Sequence, residues 1–192
     1  DELQVKGPSV MKGYWKKPKE TAAMFTEDGW LKTGDQADIY EDGDIRLKGR
    51  IKEIIVTSTG EKVPPADLEN AIQADSLFLQ SMVVGDNRPY VSALVVMNPE
   101  LWPRFAESLG LDPKDPATLL NRDLRNAVLR RIKAATANFP NYGIPRSVRI
   151  IPEAWTIENG MLTPTLKLKR RVIYAKYADE IESLYGDVRS QR

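Results

Sequence analysis

The 192-residue chain contains neither histidine nor cysteine, which rules out Ser-His-Asp and Cys-His nucleophile systems, imidazole or thiolate metal centres, and disulfides. Its 28 basic and 27 acidic residues leave a formal charge of +1, so no overall field recruits nucleic acid or an acidic membrane surface. Lysine, arginine, carboxylates, hydroxyls and backbone amides remain, a set suited to phosphoryl and nucleotidyl transfer, in which a protein positions reactants and stabilises spread charge.

An apolar fraction of 42% beside a charged fraction of 29% predicts a packed core in one large domain or two small ones. No apolar stretch approaches the roughly 20 residues that span a bilayer, and Asp1-Glu2-Leu3 is neither basic nor hydrophobic enough to open a signal peptide. The absence of cysteine fits a reducing compartment. The chain starts without methionine, in what reads as a strand, as a piece of a longer protein would.

Leu3-Gln4-Val5-Lys6 alternates as a half-buried strand does, and Gly7-Pro8 stops it. Residues 18–25 read as a short helix with proline at its start. Strands return with Trp30-Leu31, which ends at Thr33-Gly34-Asp35, and continue with residues 37–40 and 45–48. Between these last two lies Glu41-Asp42-Gly43-Asp44, whose Asp-Gly step signals a hairpin. Residues 1–48 thus read as the last strands of a β-rich unit.

From Gly49 the texture becomes mixed α/β. Ile54-Ile55-Val56 is a short buried strand, and Pro64-Pro65 opens a helix that turns Leu68 and Ile72 inward. Residues 81–84 and 91–97 pair through Gly85-Asp86-Asn87-Arg88-Pro89. Two helices follow, the second with Leu124, Val128, Ile132 and Ala135 on one face, and residues 111–117 with their two prolines read as a surface loop. Residues 148–151 form a further strand, and one closing helix carries Ile173, Tyr177, Ile181 and Leu184.

Four short segments hold groups fit for chemistry. Asp35 can accept two hydrogen bonds at once, as paired ribose hydroxyls require, or simply bond its own backbone at a turn. In Gly49-Arg50-Ile51-Lys52-Glu53, Arg50 offers a planar fork for ribose or phosphate oxygens, although Arg50 and Lys52 would also serve as solvated charges beside a buried strand. Ser58-Thr59-Gly60-Glu61-Lys62 places a glycine where backbone can approach a ligand closely, without the pattern of a phosphate-cradling loop. In Thr163-Pro164-Thr165-Leu166-Lys167-Leu168-Lys169-Arg170, Lys167 is either a reactive cation or one member of a basic stripe.

In their order and spacing these segments, with Gly29-Trp30-Leu31-Lys32-Thr33-Gly34-Asp35, resemble the C-terminal third of the AMP-forming acyl-CoA synthetases, members of the adenylate-forming superfamily. The resemblance runs from Glu2 through the Lys167 segment and is strongest to the long-chain fatty acid–CoA ligases over residues 54–69 and 159–171. It implies an α/β (α+β) fold: residues 1–48 as the end of a distorted β-barrel, 49–52 as a hinge, and 53–192 as a mobile lid domain of small mixed or antiparallel sheets with flanking helices. The implied reaction joins a fatty acid to AMP and passes the acyl group to coenzyme A.

By that resemblance Lys167 is the catalytic cation, screening the repulsion as a carboxylate attacks the α-phosphate. Asp35 and Arg50 bind the nucleotide, Lys52 is the hinge, and Gly60 with Lys62 meets the pantetheine arm of coenzyme A. Leu166 stands where many members have glycine, as in the long-chain branch. The resemblance implies ATP, coenzyme A and a fatty acid as ligands, with ATP and Mg2+ held mainly by an N-terminal domain that is the chain's own partner. It implies no metal ligand in this chain, no nucleic acid, no transmembrane segment, and a cytoplasmic enzyme able to sit peripherally at a membrane. A phosphate loop, an adenine-binding segment and an acyl tunnel are not found in the sequence, so the chain alone is expected to be inactive. Two alternatives stay open: an adenylation domain that loads a carrier-protein thiol, sharing Asp35, Arg50 and Lys167, and a non-catalytic interaction module that uses the basic end.

Overall fold

A computed structural model describes residues 1–186, which fall into two compact units, Asp1–Ile54 and a second beginning at Ile55. In the first unit β1 (Glu2–Val5), β2 (Leu31–Ile39) and β3 (Ile45–Arg50) form an open antiparallel sheet in that order, with α1 (Pro18–Ala23) between β1 and β2. The described residues form no closed barrel.

Where the glycine at 34 suggested a strand end before Asp35, the structure has one continuous nine-residue strand. Gly34 takes φ +74°, open to it without a Cβ penalty, and the register shifts between Gln36 and Ala37, so the irregularity is absorbed as a bulge. Thr33 Oγ1 donates to Leu3 O at 2.7 Å and holds β1 against this irregular stretch. The hairpin at Asp42-Gly43 closes as expected, with Ile39 opposite Ile45 and Tyr40 N–H donating to Asp44 O at 2.9 Å.

In the second unit β4 (Ile55–Val56) pairs with β5 (Lys62–Val63). α2 (Pro65–Gln73) starts with proline at its first turn, where a missing N–H costs nothing. β6 (Phe78–Val84) runs antiparallel to β7 (Ser92–Met97), and β7 runs parallel to β8 (Ser147–Ile151). The β7-to-β8 crossover carries α3 (Trp102–Ser108) and α4 (Arg122–Ala135), the latter capped by Asn121, which accepts the N–H groups of Asp123 and Leu124. α5 (Arg170–Lys176) and α6 (Ala178–Ser183) follow.

The β6-β7-β8 sheet is covered on both faces, so β7 is buried along its whole length. Val83, Ala93, Val95, Val148 and Ile150 pack with Leu68, Ile72, Leu124, Val128 and Ile132 on one side. The alternate residues Met82, Val84, Leu94, Val96 and Ile151 pack with Trp155, Met161, Ile173, Tyr177 and Ile181 on the other. The first unit is thinner, Ala37 being its one buried apolar residue among those described.

Two further expectations need correction. The closing helix breaks at Tyr177 (φ −108°, ψ 31°), whose hydroxyl donates to Glu153 at 3.0 Å. Periodicity could not reveal this, because the break keeps Ile173, Tyr177 and Ile181 on one buried face. Residues 111–117 lie mostly at the surface, as expected, and are tied down there: Trp102 Nε1 donates to Pro113 O at 3.1 Å, Thr118 Oγ1 to Asp112 O at 2.7 Å, and Leu111 packs on the core. Of Ile54-Ile55-Val56 only Ile55 is buried, since a two-residue ladder covers one face alone.

Candidate active-site loops

Asp35 and Arg50 face each other across β2 and β3. Arg50 Nε lies 3.0 Å from Asp35 Oδ1, and its Nη1 donates to Thr33 O at 3.1 Å. The guanidinium reaches across Gly34, where an added Cβ would sit 3.6 Å from Nη1. Asp35 N–H donates to Thr33 Oγ1 at 3.1 Å. The pair is partly solvated, worth at most about 1 kcal/mol to folding, so its geometry matters more than its strength. It presents a carboxylate and a planar cation side by side, a combination able to take up hydroxyls and phosphate oxygens. Lys52 is exposed on the 3-10 turn Ile51–Glu53, after β3.

Gly60 lies in a five-residue turn between β4 and β5. Thr57 N–H donates to Glu61 O at 3.0 Å, Gly60 N–H to Thr57 O at 2.9 Å, and Glu61 N–H to Thr57 Oγ1 at 3.1 Å. Gly60 has φ +86°, and among the described residues no atom beyond its two chain neighbours lies within 4 Å of where its Cβ would be. Glycine is therefore required here by the turn's own left-handed conformation and not, within this chain, by a close approach. Lys62 is exposed on β5 opposite Val56.

Lys167 closes a turn of the same length. Thr163 N–H donates to Lys167 O at 2.8 Å, Leu166 N–H to Thr163 O at 2.9 Å, and Lys167 N–H to Thr163 Oγ1 at 3.1 Å, with Leu162 bridged to Leu168. Leu166 takes φ +60°, in the left-handed region. The basic run is divided by this geometry. Lys167 is exposed, whereas Arg170 turns inward and forms a two-pronged pair with the buried Glu69, Nη1 to Oε1 at 2.7 Å and Nη2 to Oε2 at 2.6 Å.

The structure thus joins Asp35 to Arg50 on the first unit and sets Gly60, Lys62 and Lys167 on turns and strands of the second. Sequence reasoning missed Glu69, whose only signal is a charge interrupting the apolar face formed by Pro65, Leu68 and Ile72. It also missed Asp86, whose Oδ1 accepts the Val56 N–H at 3.1 Å, because nothing local marks an exposed aspartate as a partner of a strand thirty residues away.

The profile of the AMP-binding enzyme C-terminal domain matches residues 52–189. The chain is 40% identical to the long-chain-fatty-acid–CoA ligase FadD15 of Mycobacterium tuberculosis, over 96% of this chain and 31% of that protein. It is 32% identical to long-chain-fatty-acid–CoA ligase 5 of Mus musculus, over 97% of this chain and 28% of that one. Among solved structures, the adenylation domain of a carboxylate reductase from Mycobacterium chelonae superposes with a TM-score of 0.84 at 30% identity, over 97% of this chain and 28% of that chain. The corresponding domain from Segniliparus rugosus, in complex with AMP and a carboxylic acid, gives 0.83 at 28% identity over the same shares. The mixed α/β fold with its small sheets is that of the C-terminal domain of adenylate-forming enzymes. The chain belongs to the AMP-binding enzyme C-terminal domain family, and it spans about a third of the length of the curated relatives it matches.

Proposed function

We propose that the chain is the C-terminal part of a long-chain fatty acid–CoA ligase that makes acyl-AMP from ATP and a fatty acid and then acyl-CoA. The observation that carries this reading is the 40% identity to a long-chain-fatty-acid–CoA ligase across 96% of the chain. Lys167, exposed beside a left-handed residue in a hydrogen-bonded turn, is the cation that neutralises charge as a carboxylate oxygen attacks the α-phosphate and pyrophosphate leaves. Asp35 and Arg50 hold the nucleotide. In the second step the thiol sulfur of coenzyme A attacks the acyl carbonyl, AMP departs, and the Gly60 turn with Lys62 lies along the pantetheine arm. The described residues offer no group of three or more carboxylates to hold Mg2+, so no step is assigned through that ion. No helix among them is long and apolar enough to cross a membrane. The enzyme works in the cytoplasm and can touch a membrane peripherally, and the chain alone makes no acyl-CoA because its own N-terminal domain supplies the remaining sites.

In the full-length enzyme, Lys167→Ala should slow ATP–pyrophosphate exchange by about 10²–10³ while sparing acyl transfer from supplied acyl-adenylate to coenzyme A. Equal losses in both half-reactions would remove Lys167 from the adenylation step. With Lys52 as the hinge, Lys52→Pro should keep exchange and lose acyl transfer, because proline fixes φ near −65°. Lys52→Ala, leaving the backbone free, should spare both, and an alanine variant as damaged as the proline variant would end the hinge assignment.

A second reading is favoured by the carboxylate reductase neighbours and by 34% identity to a long-chain-fatty-acid–[acyl-carrier-protein] ligase of Arabidopsis thaliana. In it the accepting thiol belongs to a carrier protein. Acyl transfer assayed with free coenzyme A against a carrier protein separates the two.

A further inference from the structure

Each of the two turns with a proposed role is fastened from outside by a side chain that lies apart from it. The Gly60 turn is stitched to the β6–β7 loop. Asp86 Oδ1 accepts Val56 N–H at 3.1 Å, Asn87 N–H donates to Val56 O at 2.8 Å, and Ser58 N–H donates to Arg88 O at 2.9 Å. The loop itself is shaped tightly, since a Cβ on Gly85 would come within 3.0 Å of Val91, and Arg88 lies 5.0 Å from the Tyr185 ring and pairs with Glu182. Only three of these contacts reach the turn or its flank, and Asp86 supplies the one made by a side chain.

The Lys167 turn is fastened differently. Its C-terminal end is held by Lys169 N–H donating to Met161 O at 2.8 Å, and the next residue, Arg170, grips Glu69 with both prongs. Glu69 Oε1 also accepts Val83 N–H at 2.7 Å, which ties the carboxylate to β6. A buried ion pair is weak evidence for stability, because apolar residues of similar volume serve as well or better. What a two-pronged pair adds is geometry: it fixes the position and rotation of the chain at Arg170, and three residues upstream that fixes Lys167. In the contacts described above, Asp86 and the Glu69–Arg170 pair have no side chain in common.

We propose that Asp86 and Arg170 are positioning residues, one for each half-reaction: Asp86 sets the Gly60 turn for thiol delivery, and Arg170, through Glu69, sets the Lys167 turn for adenylation. This rests on the reading of Gly60 and Lys167 given above. Neither residue touches a reacting atom, so each acts only through the turn it holds.

The test is a double dissociation in the full-length enzyme, with ATP–pyrophosphate exchange and acyl transfer from supplied acyl-adenylate to coenzyme A measured for every variant beside its Tm. Arg170→Lys, which keeps the charge and loses the fork, should lower the kcat of exchange about tenfold with the KM for ATP unchanged and acyl transfer intact. Asp86→Ala should lower acyl transfer about tenfold and leave exchange intact, and Asp86→Asn, which retains an acceptor oxygen for Val56 N–H, should restore it. Should Arg170→Lys fail to fold, Glu69→Gln, which keeps an acceptor for Val83 N–H, must show the same selective loss of exchange.

A merely structural role lowers Tm and both half-reactions together. That result, or no change in either half-reaction while Lys167→Ala still abolishes exchange, overturns the proposal and leaves the reading of Lys167 standing. If Lys167→Ala leaves exchange intact, the reading of the site has failed and the proposal falls with it.

Discussion

Residues 57–61 and 163–167 are two copies of one turn. In each, a threonine opens the turn, its N–H donates to the fifth residue's carbonyl, its own carbonyl accepts the fourth residue's N–H, and its hydroxyl accepts the fifth residue's N–H. In each the same hydroxyl also meets that of a second threonine, at 2.9 Å in one turn and 3.0 Å in the other. The fourth residue of both is left-handed, Gly60 at φ +86° and Leu166 at φ +60°. The whole plan but the second threonine recurs at residues 26–30, and its backbone pattern alone at 40–44, where Tyr40 opens the turn, with Gly29 at φ +82° and Gly43 at φ +90° in the fourth place. Of these four turns, the one beside Lys167 alone has a residue with a Cβ in that place.

Leucine there costs about 1–2 kcal/mol relative to glycine, and its side chain, 70% exposed, recovers little by burial. Strain that is kept without local compensation points towards function, and the inference runs from the observed outlier to the role of its neighbour. The Gly60 turn is relaxed and held at its edge by an exposed aspartate. The Lys167 turn is strained and held at its base by a buried charge pair.

This contrast can be broken from either side. The largest effect should come from Gly60→Ala, which imposes on the relaxed turn the strain now found at Leu166 and should destabilise the chain by about 1–2 kcal/mol in urea unfolding. The reverse exchange, Leu166→Gly, should stabilise by a smaller amount, about 0.5 kcal/mol, because relief of strain is partly offset by the greater freedom of glycine in the unfolded chain. If both substitutions destabilise equally, the left-handed position is not what distinguishes the turns. The smallest effect appears only in alkali. Burial pushes the Tyr185 hydroxyl up to about 12 from an ordinary value of 10.0, so the stabilisation it provides is complete below about pH 10 and is lost as pH rises towards 12. Tyr185 packs beneath Arg88, on the Gly60 side. The wild-type urea midpoint should therefore fall more steeply than that of Tyr185→Phe between pH 10 and pH 12, and parallel curves would show that Tyr185 does not titrate through the fold.

The sequence told most where chemistry is written in short strings. Asp35, Arg50, Gly60 and Lys167 could be singled out because each lies in a few consecutive residues, and the helices with Leu68 and Leu124 could be placed because burial imposes a period. What stayed hidden was of two kinds. Gly34 and Tyr177 are single-residue irregularities that leave the apolar pattern around them unchanged, so a bulge read as a strand end and two helices read as one. Glu69 and Arg170 are ordinary surface residue types whose meaning arises from a contact between distant parts of the chain, which no local pattern encodes.

The parallel pairing of β7 with β8 sets an order in time. β6 and β7 are joined by a short loop and can pair soon after they are made, but Ser92 meets Ser147 only after the whole crossover with α3 and α4 has been laid down. Closing a connection of that length is entropically slow compared with closing a hairpin. The hydrogen bonds that shape the Gly60 turn run within β4, β5 and the β6–β7 loop among the described residues, so they can form early, although Arg88 gains Tyr185 and Glu182 only later. The Lys167 turn lies beyond β8, and its anchor at Glu69 waits for Arg170 to arrive, which makes the strained turn the late piece of the assembly and the relaxed one the early piece.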